Sequence, residues 1–357
     1  MKRLWVVMDS AGPDARGKSL RKDSAGREVM KKVRVSLILA ALTLFLPGGL
    51  LAQQKPLTVG YAALVAEMSP LWNAYEAKLF QRYGALVDMV YLQSGSLAAQ
   101  AVVSGNVPIV SITGIPVVQA ALAGAPLVMV AGTINAFPMS IVSLPSIRQP
   151  QDLKGKRMAV ARFGSASDLS ARIALEHFGL KPDRDVTMIQ VGGQPETLAA
   201  IKAGSAEAGC LSETFVYTAE KAGLQQLLRL GSLGLQIQWT GVAVNRQALA
   251  ERQDDFERFM KAYVQGIALF YKDPAFSKNV LRKYLRTSDP ELVEQNYKTY
   301  VNYFEKKPYP TRQGIQTILN ILKARNPKAG AAKPEEFIDD QIVAKLDREG
   351  FIDALYK

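Results

Sequence analysis

One cysteine, Cys210, and one histidine, His177, are the whole supply of thiol and imidazole in 357 residues. That supply allows no disulfide within the chain and no cysteine–histidine zinc cluster. EF-hand spacing is absent as well, so neither a metal nor a cofactor is expected. No serine sits in a G-x-S-x-G turn with a histidine partner. His177 falls near the end of a helical run closed by Gly179, where a surface or capping role is expected. Cys210 precedes Leu211-Ser212-Glu213 at the end of an apolar strand. It could serve as a nucleophile only if exposed with a lowered pKa, and its alanine-like slot predicts a buried, inert thiol instead.

A further pattern of chemical interest lies at the N-terminus. Residues Gly12 to Ser19 read G-x-x-x-x-G-K-S, the phosphate-cradling pattern, with Gly17, Lys18 and Ser19 at its end. Such a loop works only between a strand and a helix packed into a larger sheet. Here a basic n-region follows within about a dozen residues, so no domain can form around the loop, and nucleotide binding is not expected.

What remains is small and polar, and it suits binding better than catalysis. In open α/β sheets the ligand crevice lies beyond the carboxyl ends of strands, where helix N-termini present unpaired amides. The residues at those places are Met68-Ser69, Ser94-Gly95-Ser96 and Ser111-Ile112-Thr113 in the first half. In the second half they are Gly164-Ser165-Ala166-Ser167, Gly192-Gly193-Gln194 and Ser212-Glu213. Any one of these is ordinary helix capping. Their recurrence in both halves points to one site for an anion or a multiply polar small molecule. The expected ligand-binding residues are therefore Ser69, Ser94, Ser96 and Thr113 with Ser165, Ser167 and Glu213, walled by the aromatics Phe137 and Trp239. Glu213 suits a donor group on the ligand better than an anion.

The elements that must position these residues follow a strand–helix rhythm. Strands are expected at Leu57–Tyr61, Leu86–Leu92, Val107–Ile112, Leu127–Ile134 and Met139–Leu144, with helices between them stopping at Gly84, Gly105 and Gly124. A second unit repeats the order, with helix stops at Gly179, Gly204 and Gly223. Gly105 and Gly124 are nineteen residues apart, as are Gly204 and Gly223, which suggests two lobes of similar build. After the strand Trp239–Asn245 the pattern becomes helical to residue 325 and beyond. The chain is thus read as α/β. Residues 55–144 and 242–357 form a first lobe carrying a helical tail, and residues 145–241 form a second. Crossings between lobes are expected near Leu144–Gln149 and Ile237–Gly241.

Charge and termini bound the class further. The net charge of +12 divides evenly: residues 1–52 carry ten basic and four acidic residues, leaving 34 and 28 in the remainder. The latter are scattered, with no basic stripe interleaved with aromatics, so a nucleic-acid partner is not expected. Lys31, Lys32 and Arg34 precede an apolar run, Val35–Leu46, then Pro47-Gly48-Gly49 and Ala52. That is the form of a cleavable secretory signal peptide at 30–52, cut after Ala52 and too short for a span of about 20 residues. Residues 1–29 read as upstream extension, with Met30 the start.

Several segments resemble one family. Asp152-Leu-Lys-Gly155-Lys-Arg with Met158-Ala-Val, then Gly164-Ser-Ala-Ser167, is similar to nitrate/sulfonate/taurine-type substrate-binding proteins, which also hold thiamine pyrimidine-precursor binding proteins. Gly192-Gly-Gln-Pro-Glu-Thr-Leu-Ala-Ala-Ile-Lys-Ala-Gly204, Gln100-Ala-x-x-x-Gly105 and Lys307-Pro-Tyr-Pro-Thr311 carry the likeness across nearly all of residues 57–357. The resemblance implies a two-lobed type II periplasmic-binding fold, each lobe a mostly parallel sheet flanked by helices, with the helical tail packed on the first lobe. It further implies a monomeric, periplasmic, non-enzymatic protein that captures a small polar or anionic molecule and delivers it to an ABC permease and its ATPase. The same fold includes desulfinases with a catalytic cysteine, and Cys210 would have to fill that role in the alternative reading.

Overall fold

Among residues 56–357, which the computed structural model describes, ten strands form two five-stranded sheets of matching topology. The G-x-x-x-x-G-K-S pattern, the start at Met30, the signal peptide and the cut after Ala52 lie outside the described residues. The first sheet has the order β2-β1-β3-β10-β4 and the second β7-β6-β8-β5-β9. In the first, β1 (Leu57–Tyr61) pairs in parallel with β2 (Val87–Tyr91) and β3 (Ile109–Thr113), and β10 (Thr240–Asn245) runs antiparallel between β3 and β4 (Leu127–Gly132). In the second, β6 (Arg157–Val160) pairs in parallel with β7 (Thr187–Gln190) and β8 (Ala208–Ser212). There β5 (Met139–Ser143) is the antiparallel strand, lying between β8 and β9 (Gln225–Arg229). Four of the five strands in each sheet therefore share one direction, and the odd strand is the one the chain supplies after leaving the other sheet.

The helices obey the same duplication. The first unit holds α1 (Ser69–Glu76), α2 (Gly95–Val103) and α3 (Gly114–Leu122); the second holds α4 (Ala166–His177), α5 (Gln194–Lys202) and α6 (Glu213–Lys221). α2 and α5 are nine residues each, and so are α3 and α6. Their stops, Gly105, Gly124, Gly204 and Gly223, all take positive φ, the left-handed cap that a side chain would strain.

One expectation is corrected here. Met139–Ser143 was assigned to the first lobe, with the crossing at Leu144–Gln149, but β5 belongs to the second sheet, so the chain crosses between Gly132 and Met139. It returns between Arg229 and Thr240. The two crossings are bonded together, Thr133 and Ile134 both donating their amides to the Thr240 carbonyl at 2.7 and 2.9 Å.

After β10 come α7 (Arg246–Glu251), α8 (Gln253–Lys272), α9 (Pro274–Tyr284), α10 (Pro290–Tyr300), α11 (Arg312–Leu322) and α12 (Gln341–Arg348). α8 lies against α1, and Asn73 donates to the Gly266 carbonyl and to Ser277 Oγ. Trp72 stacks on Tyr284 with ring centroids 4.6 Å apart. The tail also reaches the second unit, where Asn296 Nδ2 on α10 donates to the Thr214 carbonyl and Lys221 pairs with Asp289. It therefore bridges the two units.

Candidate ligand-binding site

Five helices begin at one cavity of about 60 Å³ between the sheets. The residue capping the N-terminus of each lines it: Ser94 for α2, Thr113 for α3, Ser165 for α4, Gly193 for α5 and Ser212 for α6. A parallel strand delivers the chain to the crevice edge, the helix turns back from there, and its first amides have no intrahelical partner. Two such ends come from the first sheet and three from the second. Their partial positive charges face one partly enclosed space between the sheets, where electrostatic attraction is less screened than in bulk water.

Hydrogen bonds across the cleft hold this arrangement closed. Gln93 Nε2, beyond β2, donates to Glu196 Oε1 on α5 at 3.0 Å. The Ala66 amide donates to Thr214 Oγ1 at 3.0 Å, and Ser212 Oγ donates to Glu67 Oε1 at 3.1 Å. Tyr91 lines the cavity beside these contacts, and burial, with the Glu196 carboxylate nearby, pushes its phenol up to about 12.

Glu67 is the group sequence reasoning missed. It sits in the single turn Ala66–Met68 between β1 and α1, is 3% exposed and lines the cavity. Oε2 accepts from Trp239 Nε1 at 2.6 Å and from the Thr240 hydroxyl. Burial is the largest influence and raises its carboxyl to about 7, against the opposing pull of these hydrogen bonds. The sequence held one signal: Glu67 is the only charged residue between Tyr61 and Tyr75, and an isolated charge in an apolar run needs a reason.

Of the expected site residues, Ser94, Thr113, Ser165, Ser167 and Trp239 line the cavity. Four do not. Ser69 Oγ turns back to donate to the Ala66 carbonyl at 2.5 Å. Ser96 lies behind Ser94, their hydroxyls 3.2 Å apart. Phe137 packs on the far side of Trp239, with ring centroids 5.3 Å apart, and faces a separate open pocket beside Arg229 and Tyr303. Glu213 turns from the cleft to accept from Ser140 Oγ at 2.8 Å and to pair with Arg229 at 3.4 Å, and the carboxylate lining the cavity is Glu67. Several wall hydroxyls are also structural: Ser167 Oγ accepts the Ala161 amide at 2.9 Å, and Ser165 Oγ accepts the Asp168 amide.

Cys210 lies inside β8 with 0% exposure, and burial pushes its thiol well above the ordinary range. A nucleophile needs the reverse of both. The expected result is that a water-soluble disulfide reagent at pH 8 labels no thiol in the native protein and one thiol per chain in denaturant; rapid native labelling would show that Cys210 is reachable. His177 is exposed at the last turn of α4.

Comparison with known proteins follows the same lines. A family model described as "NMT1/THI5 like" matches residues 66–277. The taurine-binding periplasmic protein of Escherichia coli (strain K12) is 30% identical over 176 residues, covering 48% of this chain and 52% of that protein. The chain thus spans about half the length of the curated relatives it matches. Among solved structures, a protein of Bordetella bronchiseptica RB50 aligns with a TM-score of 0.73 at 20% identity, covering 82% of this chain and 97% of that one. The alkanesulfonate-binding protein SsuA of Xanthomonas axonopodis pv. citri, bound to MOPS, aligns with a TM-score of 0.64 at 21% identity, covering 81% and 96%. At those identities the likeness shows the fold, which is that of periplasmic binding proteins.

Proposed function

We propose that the chain, which belongs to the NMT1/THI5-like family, is an exported solute-binding protein that captures a small polar or anionic molecule between its two sheets. It then hands that molecule to an ABC permease and its ATPase. The observation that carries this reading is the convergence of five helix N-termini, from both sheets, on one small cavity. A cavity of about 60 Å³ holds roughly four to six waters, so the ligand has only a handful of non-hydrogen atoms. Taurine, short alkanesulfonates and nitrate are of that size, and the taurine-binding relative and the alkanesulfonate-binding neighbour above support the first two classes.

The mechanism is capture by closure. The ligand first meets one lobe, and rotation about the crossings at 133–138 and 230–239 brings up the other. The cross-cleft bonds from Gln93, Ala66 and Ser212 then form. Closure expels water and strengthens every dipole aimed at the ligand. Covalent chemistry has no part in the scheme, and the buried Cys210 supports its exclusion.

Thermal unfolding against taurine, ethanesulfonate, isethionate and nitrate tests the reading. A ligand at one hundred times its dissociation constant adds about 2.7 kcal/mol, which raises the midpoint by several degrees. At least one compound is expected to do so and to be recovered unchanged. A panel that leaves the midpoint flat, or a compound consumed during the assay, would overturn the proposal.

A further inference from the structure

We propose that Glu67 reads a cationic group on the ligand, and that the arriving cation displaces a proton from its carboxyl, so that capture releases a proton to solvent. The inference rests on the cavity between the sheets being the ligand site, and it narrows the ligand to a small zwitterion.

The geometry begins with what surrounds Glu67. All three of its partners, the Ser212 hydroxyl, the Trp239 indole and the Thr240 hydroxyl, are neutral. Neither lysine nor arginine lines the cavity. A buried carboxylate without a cation is costly, and the ordinary escape is to hold a proton. Other titratable groups nearby push the same way. Tyr300 on α10 reaches the site through its hydroxyl, 3.0 Å from Ser212 Oγ, and it could only add negative charge. Glu213 on α6 stands next to Ser212, with its own charge met by Arg229. β10 presents only Thr240, and Trp239 stands just before it. Burial accordingly raises the Glu67 carboxyl to about 7.

The neutral form has a place for its proton. Trp239 Nε1 can only donate, but either hydroxyl can turn from donor to acceptor, so the acid donates to Thr240 or to Ser212. When an ammonium group enters, the carboxyl O–H breaks, the proton leaves to solvent, and the carboxylate accepts from the ammonium N–H. The negative end of such a ligand then meets the helix N-termini at Ser94, Thr113 and Ser165. One wall takes the anion and Glu67 takes the cation, which excludes a plain anion as the preferred cargo.

Calorimetry on the full chain tests this with two probes that share a sulfonate: taurine, which carries an ammonium, and isethionate, which carries a hydroxyl in its place. Each is titrated at pH 7 in phosphate and in Tris, buffers of low and high ionisation enthalpy. Taurine is expected to bind with release of about half a proton at pH 7, read from the buffer dependence, because the acid is half-protonated there. Isethionate is expected to bind more weakly and release none. Glu67→Gln, which mimics the protonated acid, should lose more than about tenfold in taurine affinity and all buffer dependence. An unfolding midpoint at pH 5 within a few degrees of wild type reports that the variant is folded. Taurine binding without proton release, an unaffected Glu67→Gln, or isethionate binding as tightly as taurine would each overturn the role of Glu67 while leaving the cavity reading standing. If neither probe binds, this proposal falls, and the cavity reading falls with it only if ethanesulfonate and nitrate also leave the unfolding midpoint flat.

Discussion

Raising the pH from 5 to 8 is expected to cost the ligand-free protein about 2–3 kcal/mol through Glu67 alone, and Glu67→Gln is expected to remove that loss. The sign follows from where the proton sits. In the unfolded chain the carboxyl titrates near its ordinary value of 4.5, and in the folded chain burial lifts it to about 7. Between those values the folded protein holds a proton that the unfolded chain has given up, so stability falls as pH rises. The loss begins near pH 4.5 and is nearly complete above pH 8. The scale is set by the separation of the two values at about 1.4 kcal/mol per unit. Other groups titrate across the same range, so the informative quantity is the difference between wild type and variant. Glutamine accepts from Trp239 Nε1 through its carbonyl, donates to a hydroxyl through its amide, and does not ionise. The two proteins should unfold at similar midpoints at pH 5, with the variant several degrees higher at pH 8. Parallel curves would mean that the Glu67 charge is met by something other than a proton.

The same residue shows where sequence reasoning reaches its limit. Helices and strands announce themselves by periodicity, and the stops at Gly105, Gly124, Gly204 and Gly223 fall where the chain does take the left-handed turn. Ser94, Thr113 and Ser165 were legible because a strand end followed by a helix start places a cap at the crevice. Ser96 stands behind Ser94 and off the wall, whereas Ser167, at the same place after Ser165, is on it, so position in the first turn does not by itself decide which hydroxyl faces the crevice. Glu67 belongs to a three-residue turn, too short for any period, and its neighbours Ser212, Trp239 and Thr240 lie about 150 residues or more away. Glu213, the acid that looked placed for a ligand, instead meets Arg229 on β9, a strand the pattern did not mark. The assignment of β5 failed for a related reason. Met139–Ser143 is buried throughout, so its residues specify a strand without specifying which sheet encloses it.

Gly241→Ala is expected to cost about 3 kcal/mol or more, because β10 joins the first sheet with no room for a methyl group. Gly241 pairs with Gly132 on β4, and a Cβ on it would stand 1.9 Å from the Ala131 carbonyl oxygen. The obstacle is backbone within a sheet, so no side-chain rotation can relieve it, and overpacking of this kind ranks among the severe single changes. The register already shifts between Val242 and Ala243, so the ladder has little freedom to slide further. Gly330→Ala supplies the contrast, since the nearest atom to its Cβ would be Lys323 Cβ at 3.9 Å in a four-residue helix, where alanine is preferred to glycine by about 0.5–1 kcal/mol. The same chemical change should therefore have opposite signs at the two positions in urea unfolding. The position of Gly241 adds a functional consequence. Thr240 beside it bonds both to Glu67 and to the outgoing crossing at Thr133 and Ile134. Displacing β10 would move the carboxyl and the hinge together, so whatever Gly241→Ala protein still folds should bind ligand more weakly than its lost stability alone explains. A variant within about 1 kcal/mol of wild type would mean that β10 and β4 are not in this register.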